Sequence, residues 1–316
     1  MAKYTAKRLF QSLISVLIVA TVVFLLLRAL PSDYFFSEDQ LMKLTEEQKE
    51  DQLRAAGLLD PMAVQLTRFW GEIIRLDFGE SRRIQIGVPV MTLVAKRFAV
   101  SMRLGLTALG VSYAIGLTLG IFQARYKDKL IDHFGTVYTV ISNAVPALVL
   151  YSLVLVFGTK VLKLPAMYST RNALMASILP VTCMCIKSIA GRALWMRRYM
   201  VDEINRDYIK LARVKGLSTR QIMFRHIFRN AFVPMAAGLP ASILLTINGS
   251  LLAERFFSIP GMGGLLTDAV GRYDVNIVQS LVILYSALGI IGVFLGDVLM
   301  MIFDPRITLT GKRGTR

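Results

Sequence analysis

Six apolar runs of nearly membrane-spanning length dominate this chain and restrict what it can fold into. A helix that crosses the hydrocarbon core of a bilayer needs about 20 consecutive, mostly apolar residues. The runs are Leu9–Leu27, Ala99–Phe122, Phe134–Phe157, Ala173–Ala190, Pro234–Ala253 and Ile277–Phe303. Pro180 and Lys187 interrupt the fourth run, and if that run is re-entrant, only five spans remain. We predict an all-α membrane protein with about six transmembrane helices.

Composition supports this class, and the basic residues predict an orientation. The chain is 54% hydrophobic and 18% charged, which is more apolar than an ordinary soluble domain. Lysine and arginine cluster before the first run, between the second and third, between the fourth and fifth, and after the sixth. Such clusters mark cytoplasmic loops, so both termini are expected in the cytoplasm. The net charge of +16 therefore indicates contact with membrane lipid and no nucleic-acid partner.

The chain divides into segments that differ in composition. The predicted segments are an N-terminal transmembrane anchor at 1–30, an extracytoplasmic segment at 31–97, a core transmembrane domain at 98–306 with a loop at about 192–233, and a cytoplasmic tail at 307–316. The first run is interpreted as a retained anchor, because its apolar core is longer than that of a typical signal peptide. In the extracytoplasmic segment, Thr45 and Gln48 form a capping box, Gly57 can end that helix, and Pro61 can begin a second one.

The loop between the fourth and fifth runs carries paired helix signals around a glycine. Asn205 is predicted to cap a short helix that runs through Lys215, and Gly216 suits a left-handed helix stop. Ser218 then restarts the chain, with Gln221 three residues later as a second capping box. An ordinary basic loop would explain the charges but not the paired caps and the central glycine. We therefore expect a rigid helix–turn–helix suited to transmitting force from a partner.

One face of the short helix in this loop is expected to contact the partner. Leu211 and Ala212 lie three and four residues after Tyr208 and four and three residues before Lys215, so all four are predicted to share a face. The small side chain of Ala212 would let a partner surface approach closely. The predicted contact residues are Asp207, Tyr208, Leu211, Ala212, Arg213, Lys215, Gly216, Leu217 and Ser218.

A few polar groups inside the apolar runs are candidates for lining a water-filled pathway. Asn143, Asn248 and Asp297 qualify, because polar side chains within spans usually face protein or water. Asp297 has two alternative roles, since it could pair with Lys187 or lie near the hydrated membrane boundary. Pro146 is predicted to kink the third run and joins the pathway candidates.

The sequence lacks patterns typical of catalysis or metal binding. His133 and His226, the two histidines, have no partner pattern for a metal site or a nucleophile. Cys183 and Cys185 lie inside an apolar run with no histidine nearby in sequence. No G-x-x-x-x-G-K-[ST] phosphate loop is present. We expect no catalytic residue, no metal site and no cofactor in this chain, so it is not predicted to be an enzyme.

Several motifs, taken in order along the chain, resemble one known family. The motifs are Ala212-Arg213-Val214-Lys215-Gly216-Leu217-Ser218 followed by Arg225-His226, Arg229-Asn230-Ala231 and Pro234; Leu25-Leu26-Leu27-Arg28-Ala29-Leu30-Pro31; Asp77-Phe78-Gly79-Glu80-Ser81 followed by Val88-Pro89-Val90; Phe257-Ser258-Ile259-Pro260-Gly261-Met262-Gly263; and Asp304-Pro305-Arg306. Together they resemble the binding-protein-dependent ABC importer permeases, and most closely the dipeptide and oligopeptide branch. The resemblance covers nearly the whole chain.

The resemblance implies a six-span permease subunit in the cytoplasmic (inner) membrane of a prokaryote, paired with a second related permease subunit as a heterodimer. The short helix at Asp207–Lys215 would be a coupling helix that docks onto one of two ABC ATPase subunits, which hold ATP and Mg. An extracytoplasmic solute-binding protein would deliver a peptide. Two alternatives stay open: a same-family importer for nickel or another small solute, and an ion-coupled secondary transporter. The latter often shows inverted repeats, and none stands out in this sequence.

Overall fold

The computed structural model describes residues 2–36, 38–247 and 250–303, and within these ranges the chain is α-helical with no β-strand. The helices of the first half are α1 (Ala2–Arg28), α2 (Glu38–Lys43), α3 (Glu46–Ala55), α4 (Met62–Arg75), α5 (Val90–Arg125), α6 (Leu130–Ala144) and α7 (Ala147–Lys160). Those of the second half are α8 (Ala173–Ile204), α9 (Asp207–Val214), α10 (Thr219–Gln221), α11 (Arg229–Ala237), α12 (Leu239–Ile247), α13 (Leu251–Phe256), α14 (Met262–Gly271) and α15 (Val275–Phe303). A short 3₁₀-helix occupies Ser32–Phe35, and a π-helix occupies Ile222–Phe228 between α10 and α11.

Four of the predicted spans are continuous helices that are long and apolar enough to cross a membrane. They lie at Leu9–Arg28, Val90–Arg125, Ala173–Ile204 and Val275–Gly296. The fourth predicted span is one unbroken 32-residue helix although it contains Pro180, because a proline in a span can be accommodated by local adjustment and by neighbouring groups. Its helix continues to Ile204, well into the region predicted as a loop.

The other two predicted spans are not single helices, so a count of six is not confirmed for the described residues. The third consists of α6 and α7, which meet at an angle of 110°, and it makes a fifth span only if the bent pair is counted as one. Pro146 was predicted to kink this run, and the structure shows a sharper break. Val145 and Pro146 both leave the helical region, because a residue before proline is driven to an extended backbone. The fifth predicted span is divided among α11, α12 and α13.

The core of the fold is the contact between α5 and α8, which pack with their backbones close together. A Cβ atom at Gly120 of α5 would lie 2.6 Å from the Ala193 carbonyl oxygen and 2.7 Å from Met196 Cβ. One turn earlier, a Cβ atom at Gly116 would lie 2.8 Å from Arg192 Cβ. Small residues at such positions let two helices approach closely. This contact fixes the long helix α8 against the rest of the chain.

An ion pair also connects α6 to α8. Arg197 donates from Nε to Asp132 Oδ1 at 2.5 Å and from Nη2 to Asp132 Oδ2 at 2.6 Å. The Asp128 backbone N–H adds a third hydrogen bond to this carboxylate, at 3.0 Å. The Asp132 side chain is only 4% exposed, so the carboxylate depends on these donors for the hydrogen bonds that water would otherwise supply.

The segment between α1 and α5 follows the local signals in its sequence. Thr45 and Gln48 form the predicted capping box at the start of α3. Gly57 takes a left-handed backbone at the end of that helix (φ +67°), and α4 begins directly after Pro61. The span that follows begins at Val90, so the last residues of the predicted segment 31–97 already belong to a membrane helix. The division of the chain into functional segments stays a prediction.

Two buried carboxylates connect this segment and α5 to the region around α13 and α14. Asp274 accepts a hydrogen bond from the Ser81 hydroxyl at 2.6 Å and from the three backbone N–H groups that follow, at 3.0–3.1 Å. Glu254 accepts from the Ser101 hydroxyl at 2.7 Å and from the Gly264 N–H at 3.1 Å. Both carboxylates act as fixed anchors between distant parts of the sequence.

Candidate functional site

The start of α9 differs from the predicted one. Asn205 was expected to cap this helix, but its side-chain amide donates to the Val201 carbonyl oxygen at 3.1 Å and so belongs to the end of α8. Arg206 occupies the N-cap position and makes no capping hydrogen bond with its side chain. The first turn instead carries Asp207, whose negative charge suits a helix N-terminus. A hydrogen bond from Lys210 at 2.8 Å lowers the pKa of Asp207.

The end of α9 confirms the predicted glycine stop. Gly216 has φ +78°, in the left-handed region. Its N–H donates to the Arg213 carbonyl oxygen at 2.9 Å, and the Leu217 N–H donates to the Ala212 carbonyl oxygen at 3.3 Å. These two bonds define a Schellman motif, which satisfies the last carbonyl groups of a helix. The chain therefore turns sharply at this glycine.

The second predicted capping box follows this turn and is confirmed. Ser218 Oγ accepts a hydrogen bond from the Gln221 N–H at 3.3 Å, and the Ser218 N–H donates to Gln221 Oε1 at 2.9 Å. The π-helix Ile222–Phe228 begins immediately after this box. π-helical turns are rare and frequently occur at functional sites. The chain therefore returns from α9 to the membrane helices through an irregular segment.

One face of α9 is buried against the chain's own core. Ile209 and Ala212 are 0% and 7% exposed, and they pack in a cluster with Met196, Met200 and Ile227. The prediction that Ala212 lies on the partner-contacting face is therefore wrong. The spacing of three between Ile209 and Ala212 places both on the side that faces α8 and the π-helix. This burial anchors α9 firmly to the rest of the fold.

The opposite face of α9 presents apolar side chains to the surroundings. Leu211 is 54% exposed and Val214 is 84% exposed. Val214 was not among the predicted contact residues, although its spacing of three from Leu211 is the signal that could have identified it. Lys210 and Lys215 flank this pair and are also exposed. A short helix with one face anchored in the core and an apolar pair on the other is suited to docking against a partner protein.

Other predicted contact residues have neighbours within the chain. Arg213 and Leu217 line a cavity of about 380 Å³, together with Arg125 and Lys127 at the end of α5. The hydroxyl of Tyr208 is hydrogen-bonded to two side chains from neighbouring helices. Tyr208 and Arg213 remain exposed, whereas Leu217 is half-buried, so these residues have neighbours within the chain without being enclosed by it.

The predicted pathway residues are not brought together by the described part of the structure. Asn143 is exposed and donates a hydrogen bond to the Thr139 carbonyl oxygen of its own helix at 2.9 Å. Pro146 lies at the break between α6 and α7. Asn248 lies outside the described residues, and Asp297 lies in α15 with a side chain that is likewise outside them. Their assignment to a pathway stays a prediction.

Comparison with known proteins shows similarity to membrane components of transport systems. Residues 116–309, which include α9 and the Gly216 turn, match the family described as binding-protein-dependent transport system inner membrane component. The chain is 32% identical over 312 residues to the dipeptide transport system permease protein DppB of Lactococcus lactis subsp. cremoris, covering 98% of this chain and 100% of that protein.

Two further relatives carry related names. The dipeptide transport system permease protein DppB of Bacillus subtilis is 30% identical over 314 residues, covering 99% of this chain and 100% of that protein. The oligopeptide transport system permease protein AmiC of Streptococcus pneumoniae is 37% identical over 212 residues, covering 66% of this chain and 42% of that protein. The two DppB proteins align with this chain from end to end.

Proposed function

This chain belongs to the family of inner membrane components of binding-protein-dependent transport systems, and on that premise we propose that it is the permease subunit of an ATP-driven peptide importer, with α9 as its coupling helix. The observation that carries the proposal is the anchored helix α9 with its exposed pair Leu211 and Val214. The chain is a transport subunit, and the sequence has no phosphate loop of its own. ATP hydrolysis is therefore assigned to a separate chain.

The assembly that we propose has four further subunits. Two ABC ATPase subunits hold ATP and Mg, and one of them receives α9. A second related permease subunit completes the membrane unit as a heterodimer, and an extracytoplasmic solute-binding protein delivers the solute. The solute is a dipeptide or oligopeptide, which the names of the relatives favour over nickel or another small solute. We propose that both termini lie in the cytoplasm, an orientation that the basic clusters in the sequence support.

The proposed mechanism is mechanical. Closure of the two ATPase subunits on ATP displaces α9, and the displacement switches the membrane helices between outward-facing and inward-facing arrangements. This requires that α9 be stiff and firmly attached to its own subunit. The buried side chains of Ile209 and Ala212 and the fixed turn at Gly216 meet that requirement. Ion coupling is not favoured, because the matching family is described as binding-protein-dependent. The relatives, in turn, are named as permease proteins of transport systems.

Val214→Asp is the variant that tests docking most directly. Val214 is 84% exposed, so the change leaves the fold intact but places a charge where we expect an apolar contact. Loss of a central interface residue typically costs about 2 kcal/mol or more, so the ATPase subunit should bind roughly thirty-fold more weakly. The measurement is the amount of phosphate-loop ATPase that copurifies with a tagged form of this chain in mild detergent.

The matched control for that variant is Val270→Asp, at a 53%-exposed valine on α14. It introduces the same charge far along the chain from α9, so ATPase recovery should be unchanged. Ala212→Arg would be a poor substitute, because Ala212 is buried and the change would disturb folding. Undiminished ATPase recovery with Val214→Asp would contradict docking at this face, and absence of any ATPase with the unaltered chain would overturn the proposed function.

Gly216→Val tests the turn that fixes the direction of α9. A Cβ atom here would meet nothing within 4 Å, so the cost arises from the left-handed backbone alone and is about 1–2 kcal/mol. We expect the complex to assemble while stimulation of its ATPase by solute-loaded binding protein is largely lost. Gly216→Asn is the control, since asparagine tolerates this backbone, and it should retain most of the stimulation. Full stimulation in both variants would contradict a role for the turn.

A further inference from the structure

A small polar network, which we call the polar clamp, consists of Tyr208, Glu203 and Asn230. The Tyr208 hydroxyl donates a hydrogen bond to Glu203 Oε1. The side-chain amide of Asn230 donates to the Tyr208 hydroxyl oxygen at 2.7 Å and to Glu203 Oε1 at 3.2 Å. Each residue comes from a different helix. Glu203 lies in α8, Tyr208 in α9 and Asn230 in α11. The polar clamp thus ties α9 to both α8 and α11 at one point.

The Tyr208 hydroxyl of the polar clamp keeps its proton at neutral pH. Burial and the hydrogen bond with Glu203 raise the pKa of Tyr208 to about 12, so the phenol remains a donor. The Glu203 side chain is 18% exposed, which partly shields its carboxylate from water. Its other oxygen lies 3.9 Å from Arg206 Nε. The three side chains are therefore joined around a carboxylate that is only partly accessible to water.

The position of the polar clamp matters because the covalent path from α9 to α11 is irregular. That path passes through the left-handed turn at Gly216 and then through the π-helix Ile222–Phe228. Neither element is a continuous α-helical rod, so displacement of α9 could be absorbed there. The hydrogen bonds of the polar clamp join α9 directly to Asn230 on α11 and bypass both elements.

We propose that the polar clamp positions α9 for force transmission, so that a displacement of α9 passes directly into α8 and α11. The inference rests on the proposed function, since it assumes that an ATPase displaces α9. It reassigns Tyr208 from the docking surface to a positioning role and adds Glu203 and Asn230, which sequence reasoning missed. The buried face of α9 supplies attachment, and the polar clamp supplies the rigid link on its more exposed side.

The test measures how many ATP molecules are hydrolysed for each solute molecule imported. The complex is purified through a tag on this chain and reconstituted in proteoliposomes, with labelled di-, tri- and tetra-alanine as the transport probe. Asn230→Leu and Tyr208→Phe should each raise the ATP-to-solute ratio about ten-fold, which corresponds to loss of a hydrogen-bond contribution in a charged network. The ATPase should still copurify with Asn230→Leu, which a variant that merely unfolded the loop would not allow.

The matched control is Tyr126→Phe. Tyr126 lies just after α5, and its hydroxyl has no hydrogen-bond partner in the described part of the chain. Loss of that hydroxyl should leave the ATP-to-solute ratio at the wild-type value. The comparison separates the effect of the Tyr208 hydrogen bonds from any general effect of removing a tyrosine hydroxyl.

Rescue by a covalent link gives the readout that a merely structural role would not produce. In a Tyr208→Cys, Asn230→Cys chain, a short bis-methanethiosulfonate cross-linker can rejoin α9 to α11, because each cysteine thiolate forms a disulfide with it and displaces methanesulfinate. The two native cysteines, Cys183 and Cys185, are buried and so react poorly with it. Cross-linking should return the ATP-to-solute ratio toward wild type, and reduction should raise it again.

The outcomes distinguish failure of the polar-clamp proposal from failure of the proposed function. If the ATPase copurifies but the ratio stays at wild type in all clamp variants, or cross-linking fails to lower a raised ratio, the polar clamp has no role in transmission. If no ATPase accompanies the unaltered chain, the proposed function itself is overturned and the inference about the polar clamp falls with it.

Discussion

Replacing Arg197 with methionine is expected to destabilise the chain by about 3–5 kcal/mol, because it leaves a buried carboxylate without its charged partner. Asp132 would keep only the Asp128 N–H at 3.0 Å and would lose both hydrogen bonds from the guanidinium. Since this ion pair connects α6 to α8, the two helices should separate more readily. The measurement is the fraction of purified complex that stays monodisperse on size-exclusion chromatography after heating through a temperature series.

Two controls separate the burial effect from loss of charge. Arg198→Met changes the neighbouring arginine, which is exposed, stacks on Trp195 and pairs with no carboxylate among the described residues. It should shift the midpoint of the thermal transition little. The double change Asp132→Leu with Arg197→Met removes both charges together and should recover much of the loss. If the temperature at which half of the complex stays monodisperse is the same for Arg197→Met and Arg198→Met, the ion pair contributes little to stability.

The local signals of the sequence were sufficient for both capping boxes and for the glycine helix stops, although the expected cap at Asn205 did not form. Both capping boxes, at Thr45 and Ser218, form as predicted. Gly57 and Gly216 both adopt the left-handed backbone that ends a helix. In each case the hydrogen bonds that define the motif join residues a few positions apart, so no tertiary information is needed to predict them.

The sequence was insufficient wherever burial depends on elements that are distant along the chain. Ala212 was assigned to an exposed face, but the packing of Met196 and Met200 against it decides the orientation of α9. A periodic pattern identifies a face of a helix without showing which partner covers it. The same limit applies to Arg197 and Asp132, which are 65 residues apart and whose pairing requires the contact between α6 and α8.

The number of membrane spans was also difficult to predict, because apolar length alone does not distinguish straight helices from broken ones. Pro180 lies inside a continuous helix, whereas Pro146 lies at a break of 110°. Both are prolines in apolar runs, and the difference depends on what surrounds the freed backbone groups. The polar clamp was missed for a related reason, since Tyr208 and Asn230 meet only because the chain reverses at Gly216.

Gly120→Val is the second change for which we expect a large effect, and it tests the backbone contact that holds α8 in place. The new Cβ atom would lie 2.6 Å from the Ala193 carbonyl oxygen and 2.7 Å from Met196 Cβ. Overpacking usually costs about 1–3 kcal/mol. Here the obstructing atoms are a backbone oxygen and a Cβ, which cannot rotate away, so we expect the upper end of that range or more. The yield of folded complex should fall sharply.

Gly110→Val in the same helix is the matched control, because a Cβ atom at Gly110 would meet nothing within 4 Å. Both changes alter helix propensity equally, so a difference between them reports the contact between α5 and α8. We expect near-normal yield for Gly110→Val and little folded complex for Gly120→Val. Equal yields would show that α8 can move away from α5 without loss of the fold. In that case α8 would be too loosely held to carry a displacement from α9 into the membrane helices.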